Sequence, residues 1–120
     1  MASTNLRPKT AERQLDLVLG AISDKTRRAL IARLARGPGM ITELAEPFKM
    51  SLPAVSKHLR VLEDARLVER SVSGRVHRFS LTPEALRTVE QWLGSYRPFW
   101  EDNLDRLERY AQKKKGTKIP

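Results

Sequence analysis

Between Thr42 and Leu81 the chain carries a short helical pattern, a break, a second helical pattern, and then two extended runs on either side of a Ser-Gly pair. That succession leaves few folds open. Two helices joined by a tight turn and followed by an arginine-bearing hairpin form a unit that presents one helix and one ribbon outward. Those are shapes that fit the major groove and the backbone or minor groove of duplex DNA. The fold class that follows is mainly α with a β-hairpin.

Local signals set the expected boundaries. Residues 1–10, with Ser3, Thr4, Asn5 and Pro8, lack a periodic apolar face and read as a flexible arm. Leu15, Val18, Leu19 and Ile22 share one face of a helix over 11–22. A second helix starts near Ser23 or Asp24, runs through Leu30, Ile31 and Leu34, and stops at Gly37-Pro38-Gly39. Thr42 can cap a short helix that Pro47 ends or kinks. Ser51 caps the helix after it, with Pro53 in its first turn, where a missing N–H costs little. A strand at 67–72, a Ser73-Gly74 turn and a strand at 75–81 follow. Thr82 or Pro83 then opens a long helix in which Leu86, Val89, Leu93, Tyr96, Trp100, Leu104 and Leu107 keep nearly a heptad rhythm. Trp92, Phe99 and Tyr110 widen that seam, and Pro98 kinks the helix or divides it. The length suits one domain, read as 11–110, with 111–120 a basic flexible tail around Lys113, Lys114, Lys115 and Lys118.

Three groups of polar residues stand out. With Val55, Leu59 and Leu62 inward, Pro53, Ser56, Lys57, Arg60 and Asp64 share the outer face of their helix. Serine and lysine bind phosphates or base edges, and arginine forks onto the acceptor pair of guanine. A merely solvated amphipathic helix is the plain alternative. Against it, the basic groups sit toward the N-terminal side and Glu63 and Asp64 at the far end. Arg70, Arg75, His77 and Arg78 surround the hairpin. Arg75 lies beside the turn, where it reaches furthest, and Arg70 and Arg78 approach backbone phosphates. Charge that protects an edge hairpin from aggregation would look the same. Lys25, Arg27 and Arg28 open the second helix against its dipole. That placement points either to a phosphate at the helix start or to a structural ion pair, and both readings stay open. His58 is expected half-buried beside Leu59, with a phosphate in reach.

Composition excludes much else. Lys and Arg number 23 against 14 Asp and Glu, a net charge of +9, which favours polyanionic partners. The absence of cysteine removes disulfides and thiolate metal sites. His58 and His77, the only histidines, fall in different elements with no zinc-ligand spacing. No phosphate loop, nucleophile elbow or paired-carboxylate signature is present, so neither an enzyme nor a cofactor is expected. No apolar run approaches the roughly 20 residues that span a bilayer, and the first residues lack a signal-peptide core. A soluble, cytoplasmic, nucleoid-associated protein is the expectation.

The segments DKTRRALIARLARG, ELAEPFKMSLPAVSKHLRVLEDARLVERSVSGRVHRFSLTPEAL and WLGSYRPFW resemble the ArsR-type winged-helix repressors of bacteria. The similarity covers residues 15–110, and Ser51 to Val68 is the block most specific to that family. The resemblance implies a winged helix-turn-helix, a homodimer paired through its terminal helices, and promoter binding that blocks transcription. It places Ser56, Lys57, His58 and Arg60 on the recognition helix, and Gly74 with Arg75 at the wing tip. Metal-sensing members carry a cysteine-containing stretch where this chain has Thr42-Glu43-Leu44-Ala45-Glu46, or histidines on a last helix that here has none. The chain is most similar to a branch without a metal box, and the sequence names no effector.

The expected function is a homodimeric repressor that binds an inverted-repeat operator through the helix at 51–64 and the wing at 67–81. Ser51, Pro53, Ser56, Lys57, His58, Arg60, Arg70, Gly74, Arg75, Arg78, Arg27 and Arg28 are its candidate DNA contacts. Leu15, Val18, Leu19, Ile22, Leu93, Tyr96, Trp100, Leu104 and Leu107 are the candidate dimer surface. A winged module that docks a protein partner and a sequence-tolerant chromosome-organising protein remain the alternatives.

Overall fold

The computed structural model describes residues 9–118. In order these form α1 (Lys9–Ala21), α2 (Lys25–Leu34), β1 (Gly39–Met40), α3 (Ile41–Ala45), α4 (Leu52–Asp64), β2 (Val68–Ser73), β3 (Val76–Leu81), α5 (Pro83–Gly94) and α6 (Arg97–Lys118). Where length alone suggests one domain, the chain divides into two compact units, one ending at Val89 and one starting at Glu90. The expected arm at 1–10 lies outside the described residues up to position 8, and positions 9 and 10 already belong to α1.

The first unit closes around one apolar core. Val18, Leu30, Leu44, Val55, Leu59, Leu62 and Leu67 are its largest fully buried side chains, joined by Val68 and Phe79 from the hairpin. Val55, Leu59 and Leu62 recur at the spacing of one helical stripe, which is why α4 buries that face and leaves the other in water. Ser51 caps α4 as expected, its hydroxyl oxygen accepting from the Ala54 amide at 3.3 Å, and Pro53 stands in the first turn.

The far end of α4 closes in a way that sequence reading does not anticipate. Arg66 adopts a left-handed φ of 60°. The Leu67 amide then reaches back to the Leu62 carbonyl and the Arg66 amide to the Glu63 carbonyl, each at 2.9 Å. This satisfies carbonyls that a helix end would otherwise leave open. It also turns the chain at once into β2, whose root is pinned where Thr82 donates to the Arg66 and Leu67 carbonyls.

The sheet has the order β1-β3-β2, and both pairings are antiparallel. β1 is absent from the sequence reading, which takes Gly37-Pro38-Gly39 only as a helix stop. Gly39 pairs with Phe79 so closely to the α2–α3 corner that a Cβ there would stand 2.9 Å from the Arg33 guanidinium and 3.1 Å from Leu44. Because Met40 belongs to this strand, α3 begins directly after it. Its first turn is closed by Glu43, whose carboxylate accepts from the Met40 amide at 2.8 Å, and not by the expected cap Thr42. The hairpin loop also sits one residue later than expected. Ser73 pairs with Val76, so Gly74 and Arg75 form the two-residue turn, Gly74 at a φ of 63° that glycine adopts at no steric cost.

In the second unit the expected long helix is divided. The break falls at Ser95–Tyr96, and Pro98 takes a first-turn position of α6. Trp92 and Tyr96 meet edge to face across that break, with ring centroids 5.9 Å apart. α6 continues to Lys118, through most of the stretch read as a flexible tail. Ala111 and Gln112 are good helix formers, and lysines at a C-terminal end suit the helix dipole. Residues 119–120 lie outside the described residues.

Candidate nucleic-acid interface

On α4, Pro53, Ser56, Lys57, Arg60 and Asp64 are exposed, as the stripe of buried leucines requires. Ser56, Lys57 and Arg60 form no ion pair or side-chain hydrogen bond among the described residues. Ser51 spends an acceptor lone pair on the cap, which leaves its hydroxyl proton to donate outward. The same helix also exposes Leu52 and Val61, at 45% and 38%. Neither carries the charge that marks the other candidates in the sequence. Exposed apolar groups on a groove-reading helix can pack on thymine methyls.

The wing supplies a second set of groups. Gly74 and Arg75 are at its tip, and Arg75 and Arg78 are exposed with no partner among the described residues. A cleft of about 350 Å³ separates the wing from α3 and α4, and Thr42, Ser56, Arg75 and His77 are among its walls. Thr42, the cap that failed, therefore faces this cleft. The capping pattern was the wrong signal, and only the fold reveals the threonine's position.

Other expected contacts are engaged inside the fold. Arg27 donates from Nε to the Ala21 carbonyl at 2.6 Å and from Nη2 to the Gly20 carbonyl at 3.2 Å. Arg28 donates to the Ile22 carbonyl at 2.8 Å. The two cations that oppose the dipole of α2 thus cap the last carbonyls of α1, where the dipole favours them. His58 is half-buried as expected. Its Nδ1 lies 3.2 Å from Arg27 Nη1 and 4.0 Å from the Asp24 carboxylate. Asp24 caps α2 by accepting from the Arg27 amide, and that hydrogen bond is the largest of the effects that hold its carboxyl below the usual value; desolvation, next in size, opposes it, and the charges of Arg27 and His58 add to the lowering. Arg70 is turned toward the protein, with Nη2 at 2.7 Å and Nε at 3.2 Å from the two oxygens of Glu63. In sequence Glu63 is only an acid at the end of α4, since seven residues separate it from Arg70 and no local pattern links them.

The candidate dimer surface splits as well. Leu15 and Val18 are buried in the first unit's own core, at 8% and 0% exposure, and have no surface to offer a second copy. Leu19 and Ile22 are half-buried. In the second unit Leu93, Tyr96, Leu104 and Leu107 are exposed, together with Phe99 and Tyr110, and Trp100 is half-buried. Among the described residues no group of three or more metal-ligating side chains comes together, and no helix is long and apolar enough to cross a membrane.

Comparison with known proteins agrees with this arrangement. A family model described as a helix-turn-helix domain matches residues 22–71, from the end of α1 into β2. The chain is 45% identical over 100 residues to the HTH-type transcriptional regulator Rv2034 of Mycobacterium tuberculosis, covering 83% of this chain and 88% of the relative. It is 33% identical over 76 residues to the transcriptional repressor SdpR of Bacillus subtilis, covering 63% of this chain and 84% of that repressor. Among solved structures, an ArsR family transcriptional regulator superposes with a TM-score of 0.70 at 40% identity, covering 75% of this chain and 93% of the other.

Proposed function

The chain belongs to the ArsR-type winged helix-turn-helix transcriptional regulators, and from that premise we propose that it is a homodimeric repressor that binds an inverted-repeat operator. The family is one of DNA-binding regulators and not of enzymes. The observation that carries the finer reading is the exposed set Ser56, Lys57 and Arg60 on α4, with Arg75 and Arg78 on the wing, none of which has a partner among the described residues. α4 enters the major groove, Arg60 forks onto a base edge, Lys57 and Ser51 meet phosphates, and Arg75 follows the flanking backbone or minor groove. Arg27 and Arg70 drop out of the contact set, because all three guanidinium nitrogens of each are engaged within the fold, while Arg28, exposed and bonded through Nη1 alone, stays a candidate.

One such helix makes few contacts, and two copies one turn of DNA apart read an inverted repeat. The apolar residues exposed on α5 and α6, with Leu19 and Ile22 on α1, are the pairing surface of that dimer. A dimer seated on its promoter excludes polymerase, and the protein resides with the chromosome. No effector is assigned.

A salt titration of binding to the DNA upstream of the coding frame tests the reading. With about 6–10 phosphates neutralised by two subunits, affinity falls by roughly 10³–10⁵ between about 50 and 200 mM salt. A flat titration, or no binding at low salt, overturns DNA as the partner and leaves protein docking. Equal affinity for unrelated duplexes favours a sequence-tolerant organiser.

A further inference from the structure

Arg70 is held on three sides. Two of its nitrogens clasp the Glu63 carboxylate, Nη1 lies 3.3 Å from His77 Nδ1, and the guanidinium carbon stands 4.9 Å from the centre of the Phe79 ring. Phe79 is the residue directly opposite Arg70 in the hairpin and is only 3% exposed. Glu63 belongs to the last turn of α4, while Arg70, His77 and Phe79 belong to the wing. The fork therefore bridges the two elements that meet DNA. Both side chains are largely sheltered, 32% exposed for Arg70 and 25% for Glu63, and a two-pronged arginine–carboxylate pair fixes orientation as well as distance.

The lever arm shows why this matters. The wing root is anchored by buried Val68 and by Thr82, but Ser73, the last paired residue before the tip, lies five residues further along, about 16 Å at 3.3 Å per residue. A swing of about 10° at the root would move Arg75 by roughly 3 Å, a full hydrogen-bond length. Nothing beyond Phe79 on the wing is buried, so the Arg70–Glu63 fork is the last rigid link before the tip.

We infer that Arg70 is a positioning residue. It holds the wing at the angle to α4 that lets Arg60 and Arg75 engage one half-site together, and it does not itself neutralise a phosphate. The inference rests on the DNA-binding reading above.

Charge provides the test, because Glu63→Gln and Arg70→Gln change the net charge in opposite directions. If Arg70 were a phosphate contact restrained by Glu63, Glu63→Gln would tighten operator binding and Arg70→Gln would weaken it. Arg70→Gln would also lower the salt slope by about 1 per subunit. As a positioning pair, both variants weaken binding by about tenfold, and the double variant is no worse than either alone. Any change in salt slope, through loosened engagement of Arg75, is the same in both variants. Arg70→Lys separates the roles again, since lysine keeps a charge for phosphate but cannot form the fork, so it binds as weakly as Arg70→Gln. Circular dichroism and thermal melts establish that each variant is folded. Opposite signs for the two glutamine variants, a salt slope reduced by Arg70→Gln but not by Glu63→Gln, rescue by lysine, or unchanged affinity in all three overturns the inference. Failure of the wild-type protein to bind DNA at low salt overturns instead the reading on which it rests.

Discussion

Arg27 Nη1 lies 3.2 Å from His58 Nδ1 while the same guanidinium donates to the Ala21 carbonyl, so one side chain joins the end of α1, the start of α2 and α4. Asp24, at the mouth of this cluster, caps α2 and lies 4.0 Å from the same ring nitrogen. The orientation of α4 thus depends on a polar cluster as well as on its buried leucines.

Acid should expose the part played by Asp24. Its folded pKa lies below the ordinary 3.8, so its contribution to stability is present above that value and is lost as pH falls through the folded value. Asp24→Asn keeps a good capping residue but removes the titration. Urea midpoints measured from pH 7 down to pH 3 are expected to fall more steeply for the wild type than for Asp24→Asn below about pH 4. Parallel curves would show that Asp24 contributes nothing to the acid transition.

Arg60 and Arg75 should fail differently. Arg60→Ala is expected to weaken specific binding by about 1–3 kcal/mol and to relax preference at one position of each half-site. Arg75→Ala is expected to weaken all sequences evenly, or to alter only a preference for A·T-rich flanks. Binding to a library of half-site variants distinguishes the two, and the reverse pattern would exchange their roles.

The exposed seam of α6 is expected to carry the dimer. Trp100→Glu combined with Leu104→Glu should give monomers that no longer bind the operator. The winged helix should stay folded, because its core is assembled from residues before Val89 and includes neither side chain. Sedimentation reads the mass and circular dichroism the fold. A double variant that remains dimeric and bound to DNA would place the interface elsewhere.

Arg66 offers a gain in stability. A non-glycine residue in the left-handed region costs roughly 1–2 kcal/mol, and glycine in the unfolded chain gives part of that back as entropy. Arg66→Gly should therefore raise stability by about 0.5–1 kcal/mol, since the side chain is exposed and little packing is lost. An unchanged or lower urea midpoint would mean that the Arg66 side chain contributes more than its backbone costs.

The sequence by itself determined the elements whose causes are local. The cap at Ser51, the proline in the first turn of α4, the buried Val55, Leu59 and Leu62, and the outward Ser56, Lys57 and Arg60 all follow from residues within a few positions of one another. Periodicity and capping act over that range, and they were legible there. The quoted segments likewise carried the family. Tertiary structure decided where the long cations spend their hydrogen bonds. In sequence Arg70 reads as a phosphate contact, and Arg27 and Arg28 as either a phosphate site or a structural pair, yet the fold brings the end of α1 to the two at the start of α2 and Glu63 to Arg70. It also paired Gly39–Met40 with β3 and moved the helix start from Thr42 to the strand before it. It drew Leu15 and Val18 into the subunit's own core and left the α6 seam exposed. An arginine reaches several ångströms in any direction, and a two-residue strand exists only through its partner, so both depend on neighbours distant in sequence.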